Sequence, residues 1–228
     1  MSEEIGAEDV IRYLRYARSV NRNFYAKIAA ETCFCLEALD KRNYLSAFVN
    51  VYRLVEWTSF AFPNIYFSAS DDFLGSYNEL KKMMQENANG GELAFFKKSL
   101  ATLFRGDPNL ELTYDFEIPS TDKEVCKTML GQVKAMCDNA AISIESEPDS
   151  NKFTIAFLEM PSFIVTLRNR YFHYDGSGRQ NIDIDKIRDI DLLFETVTEP
   201  SLRWFSTVLL RVVARSVGFH AAVARAPA

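Results

Sequence analysis

The side chains best suited to proton transfer beside an anion stand together in Leu167-Arg168-Asn169-Arg170-Tyr171-Phe172-His173. Histidine titrates near neutrality and can serve as base or acid. Arginine stays charged, and its planar fork can grip two phosphate oxygens at once. On a helix, positions five apart differ by about 140°, so Arg168 and His173 do not share a face directly. Asn169 and His173, four apart, do share one, and the long Arg168 side chain can swing toward it. Asp175-Gly-Ser-Gly178 breaks the helix just behind the histidine. An imidazole, an amide and a cation are thereby brought to one spot.

The formal pattern of Arg followed five residues later by His occurs twice. The second copy, Arg215-Ser-Val-Gly-Phe-His220, lacks the asparagine, contains Gly218 and lies in an Ala/Val-rich stretch. It reads as a coincidence. For the first copy, the plain alternative to catalysis is a structural Arg/His pair capping a helix end.

Arg168-Asn169 with His173 near a helix end resembles the signature of the HEPN superfamily of metal-independent ribonucleases. The resemblance implies a mainly α, HEPN-like helical bundle. It also implies an RNA endonuclease whose site is shared by two protomers, acting as a toxin or in antiviral defence. Cleaving RNA without a metal needs a base for the 2′-OH proton, an acid for the leaving oxygen, and positive charge on the phosphorane. His173 would be the general acid/base, Arg168 the phosphate and transition-state stabiliser, and Asn169 the orienting hydrogen-bond partner. One such histidine per chain makes a twofold homodimer chemically sensible. The partners expected are RNA, a second copy, and a cognate antitoxin or defence-system protein, with no cofactor. Some HEPN toxins carry a modified tyrosine two residues after the histidine. Asp175 holds that position here and Tyr174 adjoins His173, a departure from that pattern. The family also contains non-catalytic members, and the alternative function is a module that binds RNA, a nucleotide or a partner protein.

Other arginines could hold the substrate. Arg12, Arg15, Arg18 and Arg22 would fall within about a 120° arc of one continuous helix and form a track for RNA phosphates. The bland alternative is a solvated face paired with the chain's acids. Arg170, Arg179 and Arg188 lie close to the motif in sequence and invite the same two readings. Tyr171, at helical spacing, reads as core.

These residues need a scaffold. With 48% hydrophobic and 25% charged residues, the composition is that of a globular protein and argues against disorder. The 228 residues suffice for one sizeable core, here read as a single domain over 1–228 with an inserted lobe at about 107–150. The net charge of −5 argues against coating nucleic acid by bulk charge. A local basic groove stays open, because salt screens beyond about 8–10 Å. Cys33, Cys35, Cys126 and Cys137 read as reduced thiols of a cytoplasmic protein. Neither a zinc site nor a membrane span is expected: only two histidines occur, and Arg211 and Arg215 interrupt the most apolar C-terminal stretch.

Periodicity supplies the elements. Val10, Leu14, Ala17, Phe24 and Ile28 predict the apolar face of one helix from about Glu8 to Leu39. A second helix is expected from about Asn43 to Phe60, stopping near Pro63. A third would be capped by Ser70, and a fourth, carrying Leu93, Phe96, Leu100 and Leu103, would end at Gly106. From Leu110 to Ile118 apolar and polar residues alternate strictly, predicting a strand. Thr121-Asp-Lys-Glu124 reads as a capping box for a helix to about Asn139, and Ile142 and Ile144 alternate again. Residues 153–160 fit either a strand or an upstream extension of the motif helix. That helix starts near Pro161-Ser162 and buries Phe163, Leu167, Tyr171 and Tyr174. Two more helices are expected, at about 185–198 and 200–219.

Overall fold

Apolar spacing of three and four residues folds most of the chain into helices. The computed structural model describes residues 6–68, 73–86, 91–147, 150–172, 182, 187 and 189–225. In chain order the elements are α1 (Ala7–Val20), α2 (Arg22–Asp40), α3 (Tyr44–Ser68), α4 (Phe73–Glu86), α5 (Gly91–Leu103) and β1 (Thr113–Glu117). Then follow α6 (Lys123–Asn139), β2 (Ile144–Glu145), β3 (Lys152–Ala156), α7 (Met160–Phe172) and α8 (Ile190–Arg225). The fold is therefore mainly α with a small antiparallel sheet. Among the described residues, no helix is long and apolar enough to cross a membrane.

Helix α3 lies at the centre, packed against α2, α5, α7 and α8. The sheet has the order β1-β3-β2, so β3 is its middle strand, and Phe116 of β1 faces Phe153 of β3 in register. Those two rings stack at 4.7 Å, and Phe163 of α7 meets Phe116 edge-on at 5.3 Å. Phe116, Ile118, Met129, Val133, Phe153 and Ile155 join the same buried cluster as Phe48, Leu54 and Trp204 of the helices. The α+β segment thus shares the core of the bundle. It reaches past 150, because residues 152–156 form the central strand and 157–159 a 3-10 turn leading into α7. The Trp204 indole N–H donates to the Phe157 carbonyl at 3.0 Å and ties that turn to α8.

Several boundaries differ from the sequence expectation. The first helix is two: α1 ends at Val20, and Asn21, at φ −114° and ψ 28°, turns the chain before α2. As a consequence Tyr13 rather than Val10 or Leu14 is buried, against Val217 of α8, while Val10 and Leu14 are 38% and 54% exposed. Helix α3 runs through Pro63 to Ser68, and α8 runs through Pro200 as one 36-residue helix. Pro200 removes one backbone donor and would be expected to break the helix at a cost of about 3 kcal/mol. Burial of Phe194, Val197, Trp204 and Phe205 on both sides of it, at about 1.5–3 kcal/mol each, outweighs that penalty. The strand is shorter than its alternation, since Asp107 caps a 3-10 turn at Pro108–Glu111 and leaves Leu112 exposed. Helix α6 is capped by Asp122, whose carboxylate accepts from the N–H groups of Glu124 and Val125, rather than by Thr121. Gly106, at φ +75°, ends the turn after α5 as expected. Ser70 and Tyr174 lie outside the described residues.

Candidate active site

Arg168 stands about one turn before the end of α7, and two sets of contacts fix that helix. At its start Met160, Phe163, Ile164 and Leu167 are fully buried, with Phe163 against the sheet. Toward its end the half-buried Tyr171 ring meets Phe194 of α8 edge-on at 4.9 Å. The stripe predicted from Phe163, Leu167 and Tyr171 is the one that packs. It leaves Arg168, Asn169 and Arg170 on the less buried sides of the helix.

The Arg168 guanidinium turns toward Asn169, donating from Nη1 to Oδ1 at 3.0 Å. It also lies over the ring of Tyr52 on α3, 4.8 Å from the centroid, a cation–π arrangement. The Tyr52 hydroxyl in turn donates to Glu56 Oε1 at 2.8 Å. Burial, reinforced by the hydrogen bond and charge of Glu56 and opposed by the Arg168 charge, pushes the Tyr52 hydroxyl up to about 12. At neutral pH Tyr52 is therefore a neutral platform and not a base. Tyr52 and Glu56 escape the sequence reading. They form an ordinary i, i+4 pair on α3, and nothing local links them to a motif far along the chain.

The remaining candidates are distributed unevenly. His173 and Arg179 lie outside the described residues, as does Arg188. Arg170 is half-buried, and its carbonyl accepts from the N–H of Ile182 at 3.4 Å, which brings the returning chain back to the end of α7. Arg12 and Arg15 are exposed on α1, whereas Arg22 is exposed at the start of α2, so the turn at Asn21 divides the expected single stripe. The side chain of Arg18 is outside the description. The second Arg/His match lies inside α8, which continues to Arg225 and so offers no helix end at that position. Two thiols are unsuited to nucleophilic work: burial pushes Cys35 up to about 11 and Cys137 up to about 12.

Chemically, the described part of this site holds a fixed cation, an amide within hydrogen-bond reach of it, and an aromatic surface beneath it. Such a group suits a phosphate in contact with solvent. Comparisons with protein-family models, with curated proteins and with solved structures give no match to this chain.

Proposed function

We propose that this protein is a metal-independent endoribonuclease of HEPN type, cleaving RNA by attack of the 2′-OH in a defence or toxin setting. The observation that carries the reading is the Arg168 side chain, turned onto Asn169 and backed by Tyr52, five residues before His173 in the sequence. Held in this way, the guanidinium loses little freedom when it meets a phosphate, and its charge is ready where the phosphorane develops. Asn169 orients it. His173 takes the 2′-OH proton or protonates the 5′-oxygen, and the partner's copy supplies the complementary step.

The test is RNA cleavage in excess chelator, with the ends of the products identified. Wild type should leave 2′,3′-cyclic phosphate or 3′-phosphate ends. His173→Ala should abolish cleavage and Arg168→Ala should slow it by about 100- to 1000-fold. His220→Ala and Arg215→Ala should cleave like wild type. Fully active His173 and Arg168 variants, or loss of activity to chelator with rescue by magnesium, would remove this mechanism. A wild type inert on every RNA yet binding it would leave the non-catalytic module as the function.

A further inference from the structure

Helices α1, α2 and α8 line a half-open cavity of about 480 Å³, whose described lining shares no residue with the Arg168 site. Its walls are Leu14 of α1, Ala26 of α2, and Leu209 and Val213 of α8. Tyr13 and Tyr25 also line it, and their hydroxyls bond to each other at 2.5 Å. Burial, with the bond to Tyr13, holds the Tyr25 hydroxyl well above its ordinary value, so Tyr25 is neutral at physiological pH. Among the described residues of the lining Arg22 is the one that carries a charge, and it is exposed, which puts it at the mouth. It makes no hydrogen bond or ion pair among the described residues.

We infer that this cavity binds a free anionic amphiphile, its apolar chain between α1, α2 and α8 and its carboxylate or phosphate head on Arg22. The volume falls within the range of about 300–1,000 Å³ usual for small-molecule sites. Apolar walls favour a hydrocarbon body, and an unpaired guanidinium at the water boundary favours an anionic end. A second copy of the chain suits the place less well. A twofold contact centred here would bring Arg22 of one copy toward Arg22 of the other, like charge against like. The inference does not depend on the ribonuclease reading.

Calorimetric titration with octanoate, decanoate and dodecanoate below their micelle concentrations tests it. Binding should tighten roughly fourfold per added methylene until the cavity is full. Arg22→Gln should weaken decanoate about tenfold while leaving the uncharged 1-decanol unchanged. Ala26→Trp, at a solvent-facing position of α2, should abolish binding of both, with circular dichroism showing that the variant is folded. Three results would overturn the assignment: no binding by wild type, equal binding of decanoate and decylammonium, or capture only on anionic phospholipid vesicles. Self-association that Ala26→Trp abolishes, without amphiphile binding, would give the face to a second copy instead.

Discussion

Tyr52 gives the candidate site a residue whose contribution can be separated from the chemistry. Its ring supports the Arg168 guanidinium, an interaction worth about 0.5–1 kcal/mol at an accessible site, and its hydroxyl is engaged by Glu56. Tyr52→Phe keeps the ring and should retain cleavage within about twofold, whereas Tyr52→Leu should lower it by about two- to fivefold without unfolding the chain. The ionisation of Tyr52 offers a second readout. Its folded value of about 12 lies above the ordinary 10, so the neutral form is favoured by folding. The associated stability is fully present below pH 10 and is lost as pH rises through 12. Because the Arg168 charge opposes that shift, Arg168→Gln should move the titration of Tyr52 still higher, followed by carbon NMR of labelled tyrosine rings. A downward movement would mean that the guanidinium does not sit on this ring.

At the scale of elements, the start of α6 distinguishes two caps that adjoin in sequence. Thr121 and Glu124 have the spacing of a reciprocal box, but the carboxylate of Asp122 is the group that accepts from the first N–H donors. Asp122→Ala should therefore cost about 1 kcal/mol in urea unfolding. Thr121→Ala should stay within about 0.5 kcal/mol. The opposite order would place the cap one residue earlier. The same helix packs Met129, Val133 and Met136 into the shared core, so its loosening should lower the stability of the whole molecule rather than of a separate lobe.

At the scale of the whole molecule, the proposed reaction needs two copies of His173 and therefore two chains. In this proposal the end of α7 would meet the second chain, where Phe172, in edge contact with Tyr171, is 44% exposed. A homodimer whose twofold interface includes residues 161–178 is expected in light scattering at micromolar concentration. Phe172→Glu should shift it toward monomer and lower cleavage in parallel, because it buries a charge at the contact. A strict monomer with full nuclease activity would exclude a shared site.

Local pattern determined much of this protein. The four-residue spacing of Phe163, Leu167 and Tyr171 marked the buried stripe of α7, and the alternation around Phe116 marked a strand, because side-chain period follows directly from backbone geometry. Types and spacing also singled out Arg168, Asn169 and His173. Other features depended on contacts between distant segments. Phe153 and Ile155 could extend a helical stripe or line a strand, and pairing with β1 decided for the strand. The break at Asn21 carries no proline or glycine, and it came with the docking of Tyr13 onto α8. Conversely, Pro63 and Pro200 carry a strong local signal to stop, which burial along α3 and α8 overrode. The Tyr52 platform under Arg168 belongs to this second class. Sequence sets which groups can ionise, donate or pack, but only the folding of α3 against α7 decides which ring lies beneath which cation, since that proximity is encoded in the packing of the helices and not in either segment alone.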